Sequence, residues 1–447
     1  MNILFVCQYF YPEVFRGNDI AFHWAEEGHD VHVVCGIPNY PDGKFHEGYG
    51  LFKRRHEEIV QGSSTSEATK SSARFLDEST SKTAENTKCG SLKVTRLPIF
   101  PRGNSKIMLM LNYFSYLVVA WVWMLFHAIF HKYDRVFVQQ LSPVMMSAPG
   151  VLYKRLRKVP LYTWVLDLWP ESLTAAGGIN NKYVLGFFKY FVKSEYKHSD
   201  KILISSRSFE KSILAYGNYK DKIVYYPQWS DGSDSGEWSV ESLESVKRVE
   251  SSGVLKNGFK LMFAGAVGEA HGFECTMQAA LLTKEYKEIK WIIVGDGRRL
   301  DWVKSFVTEH GLEETVFTLG RFPADMMPWF FKQADVMLVT LNDDPLFALY
   351  APAKISSYMA AGKPIVAVLN GEGAEVIQEA DCGWNIPAGD AEGFARLVVE
   401  LSQMEKAVLE EKGQNALSYY QAHYIKEDCL KRLDCIMNIE NRMNSRR

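Results

Sequence analysis

Between Met1 and Ser205, six short runs rich in Val, Ile, Leu and Phe alternate with longer segments of helical spacing: Ile3–Val6, Val31–Cys35, Val94–Ile99, Arg135–Gln139, Leu161–Leu166 and Lys201–Ser205. A run of this kind has no wet side, so it must be covered on both faces, as in a parallel sheet flanked by helices. The alternation restarts after residue 258 with Lys260–Ala264, Trp291–Val294, Val316–Leu319, Val336–Thr340 and Pro364–Leu369. The expectation is an α/β chain of two Rossmann-like, doubly wound domains, and 447 residues are enough for both at roughly 100–200 residues per domain.

The pattern breaks at Tyr225-Tyr226-Pro227-Gln228-Trp229 and the Ser/Glu/Asp-rich stretch that runs to Gly258. The domain boundary is therefore expected between 226 and 227. Residues 62–91 are polar and aperiodic, which reads as a mobile surface insertion. Charge is uneven: residues 1–230 hold 28 Lys+Arg against 20 Asp+Glu, and the remainder 23 against 33. A basic first half and an acidic second half point to one half facing an anionic partner, nucleic acid or a membrane surface. Seven scattered cysteines without a Cys-x-x-Cys pair argue against a zinc site or a disulfide framework. The opening Met1-Asn-Ile-Leu-Phe-Val lacks a basic leader and reads as a strand, so a cytoplasmic location is expected.

Ile107 to Phe130 contains no Asp, Glu, Lys or Arg and is long enough to cross a bilayer. Spanning would separate the first strands of one sheet from the rest, which leaves a buried core helix or a helix partly embedded in one leaflet. In Tyr183–Lys197, the residues Lys182, Lys189, Lys193 and Lys197 fall on one stripe, with Val184, Phe187, Phe188 and Phe191 opposite. Residues 100–222 hold 17 basic against 7 acidic groups, so contact with anionic lipid is plausible, beside the plainer reading of a core-facing helix with a solvated lysine face.

In open parallel sheets, ligands bind beyond the carboxyl ends of the strands. In the second half those positions are Gly265-Ala266-Val267-Gly268, Gly295-Asp296-Gly297, Gly320-Arg321-Phe322-Pro323 and Asn370-Gly371-Glu372-Gly373. Each alone is compatible with a simple turn, but four on one rim suit close backbone approach to a phosphate. Neither a G-x-G-x-x-G fingerprint nor a Walker run is present, against common NAD and ATP enzymes. Lys354, in Ala351-Pro352-Ala353-Lys354, opens a short helix where an ammonium favours an anion; a surface lysine beside a cap is the alternative. His271 stands alone before Gly272. In the first half, Asp167 and Glu171 of Asp167-Leu168-Trp169-Pro170-Glu171 follow a strand, where a carboxylate can accept a proton, bind hydroxyls or cap the next helix. Tyr9, Tyr11, Glu13 and Arg16-Gly17-Asn18 suit either sugar recognition or loop packing.

Together these residues resemble the two-Rossmann-domain (GT-B) glycosyltransferases, specifically the retaining family 4 branch that builds bacterial O-antigens and capsules. The resemblance is closest to N-acetyl-L-fucosamine and fucose transferases, through Tyr-Phe-Tyr-Pro-Glu near the start, Pro38-Asn39-Tyr40-Pro41 with Gly43, Asp-Leu-Trp-Pro-Glu, Gly-Asp-Gly, Gly-Arg-Phe-Pro and Ala-Ala-Gly-Lys-Pro. It implies a cleft between the domains. The acceptor would bind to residues 1–226 plus 417–447 (Glu13, Arg16, Gly17, Asn39), and the sugar nucleotide to 227–416 (Gly268, His271, Gly295, Asp296, Arg321, Lys354, Glu372).

The resemblance also implies catalysis through Asp167, with Glu171 second, and no cofactor and no metal. Gly268, Arg321 and Lys354 would meet the charge of the departing diphosphate, and Glu372 would lie near the donor sugar. The implied reaction moves an N-acetylated 6-deoxyhexose, UDP-linked by preference, onto a polyprenyl-diphosphate-linked saccharide, with the protein held peripherally at the inner face of the cell membrane and no nucleic acid bound. The chain departs from the family at Ala266 and His271, where a basic pair is frequent, at Leu349 and Ser357, where two glutamates are usual, and at Leu166, where histidine is frequent. A nucleotide-sugar epimerase and a non-catalytic sugar- or lipid-binding scaffold are the rival readings.

Overall fold

In the computed structural model the described residues are 1–59, 90–103, 105–177, 181–230 and 239–439; the insertion expected at 62–91 lies almost wholly outside them. The chain forms two compact units. The first holds Met1–Ser205, Phe209–Tyr226 and the chain from Leu430 onward; the second holds Pro227–Cys429 and Ser206–Ser208.

The first unit carries eight strands: β1 (Asn2–Val6), β2 (Asp30–Gly36), β3 (His56–Ile59), β4 (Leu92–Leu97), β5 (Arg135–Gln140), β6 (Leu161–Val165), β7 (Lys201–Ile204) and β8 (Ile223–Tyr225). Their order is β3-β4-β2-β1-β5-β6-β7-β8, parallel throughout except for antiparallel β3. β1 pairs with β2 on one side (Ile3 opposite Val31) and β5 on the other (Ile3 opposite Arg135). Ile3 to Val6 are fully buried because both faces of the sheet are covered. Phe5, Trp24 and Phe137 pack ring against ring at 5.1–6.2 Å.

The second unit repeats the plan with β9 (Phe259–Ala264), β10 (Ile289–Val294), β11 (Val316–Gly320), β12 (Val336–Thr340), β13 (Ile365–Val368) and β14 (Gly383–Ile386), all parallel in the order β11-β10-β9-β12-β13-β14. Alternate residues feed two cores: Met262, Ile292 and Met337 on one face, Leu261, Ile293 and Leu338 on the other. Both sheets thus have the doubly wound architecture expected, each with its switch point beside the first strand.

The return into the first unit is not at 417. That position lies inside the helix Lys406–His423, whose Ala416 and Tyr420 are part of the second unit's core, and the re-entry comes at Leu430.

The uncharged segment forms one helix, Lys106–Phe130, started by Ser105, whose side chain accepts the Met108 N–H. Its inner face is buried: Asn112 bonds Gln8 and the Phe100 carbonyl, and the Tyr116 hydroxyl donates to the Cys7 carbonyl at 2.8 Å. Its outer face is not, since Val118, Trp121, Val122, Phe126 and Ile129 are each more than 40 % exposed. It is the one helix among the described residues long and apolar enough to cross a membrane, yet only 28 % of its most apolar stretch is buried. A core helix is excluded by that exposure, and a span by β4 and β5, which flank it and belong to one sheet.

The second amphipathic helix, Lys182–His198, buries Phe188, Val192, Glu195 and Tyr196 and turns its four lysines outward. Phe187, expected on the buried side, sits on the flank of that stripe, exposed and 6.0 Å from the ring of Phe114.

Candidate functional site

In the second unit, the loops after β9, β10 and β11 are laced together by backbone bonds. Val267 N–H donates to the Asp296 carbonyl at 2.9 Å and Gly295 N–H to the Gly320 carbonyl at 2.8 Å. Gly295, at φ +144°, comes so close that a Cβ there would lie 1.8 Å from the Gly265 carbonyl oxygen. Only glycine permits that approach.

Lys354 opens the helix Lys354–Ala360. Tyr358 of the same helix is buried and clasps the end of β9, donating to the Ala264 carbonyl at 2.9 Å and accepting its N–H at 3.0 Å. This clasp sets Lys354 Nζ 3.7 Å from the centre of the Phe263 ring and 3.2 Å from where a Gly265 Cβ would be. The ammonium is shut off from solvent and has no hydrogen-bond acceptor among the described residues. Burial pushes it down to about 7.

His271 Nδ1 accepts the Gly268 N–H at 3.3 Å, and burial, with Lys354 next in effect, pushes its imidazole down to about 4. It is therefore a neutral ring, part of the glycine loop rather than a solvated residue. Gly265, Gly268, His271, Gly295 and Lys354 thus form one polar rim. Asp296 is exposed beside it, its carboxylate accepting the N–H of Gly297 at 2.7 Å. Arg321 is exposed on the β11 loop.

Glu372 is fully buried at the start of the helix Glu372–Glu379. Its carboxylate accepts from Arg207 N and Nε and from Ser208 N and Oγ, at 2.8–3.2 Å. That side chain holds Ser206–Ser208 in place and has little left for a sugar. Tyr358 and Arg207 were missed in the sequence, because nothing in their local spacing signals a partner about 94 or 165 residues away.

In the first unit, Asp167 follows β6. One carboxylate oxygen accepts the Ser172 hydroxyl and the other the Trp169 indole N–H at 3.0 Å. It caps the turn into the helix Glu171–Gly177. Glu171 accepts the Tyr216 hydroxyl at 3.3 Å.

Three residues expected to touch an acceptor have structural jobs. Glu13 is buried and accepts the N–H groups of Asn39 and Tyr40, both at 2.7 Å; burial, opposed by these bonds, pushes its carboxyl up to about 7. Asn39 is buried, bonding the Ile37 carbonyl and the Arg102 N–H. Gly17 is buried where a Cβ would lie 2.0 Å from Gln139 Oε1. Arg16 is half-buried, 3.9 Å from Asp19.

Among the described residues, no group of three or more His, Cys, Asp or Glu is placed to hold a metal ion. Residues 258–404 match the family model "Glycosyl transferases group 1". The "Probable glycosyltransferase WbjE" of Pseudomonas aeruginosa is 29 % identical over 274 residues, 59 % of this chain and 66 % of that protein. The "Amylovoran biosynthesis glycosyltransferase AmsK" of Erwinia amylovora is 21 % identical over 290 residues, 64 % and 67 % of the two chains. The chain therefore spans about two-thirds of these relatives' length. Among solved structures, Anabaena Alr3699/HepE in complex with UDP-glucose superposes with a TM-score of 0.62 at 14 % identity, covering 98 % of this chain and 99 % of that one. The chain is a GT-B-fold protein related to the glycosyltransferases of bacterial polysaccharide assembly.

Proposed function

We propose that the protein is a nucleotide-sugar-dependent glycosyltransferase of bacterial surface polysaccharide synthesis, with the donor held by the second unit and the acceptor by the first. The observation that carries this reading is the buried, unpartnered ammonium of Lys354 at the rim of the glycine loops. A diphosphate is the ligand that such a rim lacks, because backbone N–H groups and one cation together answer its charge. UDP is the preferred carrier, in keeping with the UDP-glucose complex of the structurally similar HepE.

The reaction is a retaining transfer that needs no metal. The bond from the anomeric carbon to the diphosphate breaks, the acceptor oxygen bonds to the same face, and its proton passes to a phosphate oxygen of the departing nucleotide. Lys354, Arg321 and the Gly268 N–H stabilise the charge that develops. Asp167 orients the acceptor hydroxyl. An N-acetylated 6-deoxyhexose is the proposed sugar and a lipid-diphosphate-linked saccharide at the inner membrane face the proposed acceptor, in keeping with the exposed apolar helix and the lysine stripe beside it.

Thermal unfolding with UDP, GDP or TDP tests the reading. UDP at 100 times its Kd should add about 2.7 kcal/mol. Lys354→Gln should lose that response while unfolding no earlier than the native protein in the absence of nucleotide, since it removes an amine whose charge burial disfavours. A chain indifferent to every nucleotide refutes the proposal. For the acceptor side, Asp167→Asn, which removes the charged acceptor that orients the hydroxyl, should lower turnover by about 10- to 100-fold.

A further inference from the structure

Arg102 lies on the rim of the first unit, between β4 and the long apolar helix, and is surrounded by three tyrosines. Its Nη1 is 3.4 Å from the Tyr9 hydroxyl, and its guanidinium stands over the Tyr40 ring, 5.4 Å from the centroid. Its backbone N–H is fixed by Asn39 Oδ1 at 2.9 Å. No carboxylate forms an ion pair with it among the described residues. Nor do the phenols supply a negative charge: burial pushes Tyr9 and Tyr113 up, outweighing the opposite pull of Arg102, so both remain O–H groups. The site therefore carries a net positive charge, on a half-buried guanidinium backed by buried, neutral phenols. Trp169 and Ser142 lie on the same rim, the Trp169 indole N–H reaching both Ser142 Oγ at 3.2 Å and Asp167 at 3.0 Å. On its other side the surface is apolar, with Phe100 and Ile107 more than half exposed.

We propose that Arg102, held by Tyr9 and Tyr40, binds the diphosphate of an acceptor whose hydrocarbon chain lies along the exposed face of Lys106–Phe130. A planar guanidinium fork suits two phosphate oxygens. This rests on the glycosyltransferase reading above, but concerns a different site from the donor rim.

The test is calorimetric titration of the full chain in detergent with farnesyl diphosphate, farnesol and inorganic pyrophosphate, and separately with UDP. Farnesyl diphosphate should bind, Arg102→Gln should weaken it by about tenfold or more, and Arg102→Lys, which keeps the charge but not the fork, should fall between. Farnesol should bind more weakly than its diphosphate and be unaffected by either substitution. Pyrophosphate competing as well as farnesyl diphosphate would overturn the lipid acceptor and leave only a free-diphosphate site; poor competition together with Arg102 dependence supports the proposal. Unchanged binding to Arg102→Gln, or farnesol binding as tightly as its diphosphate, overturns it. UDP binding should be equal in the native protein and Arg102→Lys. Its absence from both would remove the donor reading while leaving the Arg102 result interpretable.

Discussion

Lys354 keeps its amine in surroundings that oppose its charge. A lysine normally titrates near 10.4, and here burial brings it down to about 7, although the Phe263 face gives the ammonium some compensation. Between about pH 7 and 10 the unfolded chain binds a proton that the folded chain does not, so this group makes stability rise with pH over that window. A bound diphosphate reverses the preference by holding the ammonium charged, and binding must then take up a proton. UDP affinity should accordingly fall by up to about tenfold per pH unit above pH 7, whereas Lys354→Gln should bind weakly with a flat profile. Parallel profiles for the two proteins would show that Lys354 does not meet the phosphate. The sequence placed this lysine in the first turn of a short helix, where it lies, but did not show the burial that gives it its character. It did not show the internal bonds of Glu13, Asn39 and Glu372, because position after a strand does not say whether a side chain faces outward or turns back. Glu13 and Glu372 turn back onto backbone N–H groups, partners that no local spacing displays.

The helix Lys106–Phe130 shows how one element can satisfy a core and leave an apolar face over. Met124 is fully buried, so Met124→Ala should cost about 2–5 kcal/mol in urea unfolding. Val118 points outward, and Val118→Asp should change stability by no more than about 0.5 kcal/mol while weakening attachment to lipid vesicles. Equal destabilisation by the two substitutions would mean that the outer face is covered in solution. The strands follow a similar logic of exposure. Every apolar run in the sequence became a strand, from β1 to β13. The three strands that the sequence did not reveal, β3, β8 and β14, all lie at sheet edges, where one side needs no apolar cover. His56-Glu57-Glu58-Ile59 and Gly383-Trp384-Asn385-Ile386 carry no continuous hydrophobic signal.

At the scale of the whole chain, 28 basic against 20 acidic residues up to position 230, and 23 against 33 after it, divide the charge between the halves. Binding to vesicles containing anionic lipid should therefore weaken as salt rises from about 0.1 to 1 M, where the screening length shrinks from about 10 to 3 Å, without vanishing, because the apolar helix face is insensitive to screening. Salt-independent binding, equal on neutral vesicles, would leave the basic half without a role at the membrane. The two units also differ in how the chain completes them. The second is nearly continuous, but the first is left at Tyr226 and resumed at Leu430, where Asp434 bonds the Trp24 indole at 2.7 Å and the His23 ring at 2.8 Å. During synthesis at about 5–20 residues per second, the first unit must wait roughly 10–40 s with Trp24 lacking its partner while the second is made and can fold. A ribosome that stops short of Leu430 releases a chain with a finished second unit and an open seam in the first. Integrity of the first unit thus reports that translation has passed Asp434.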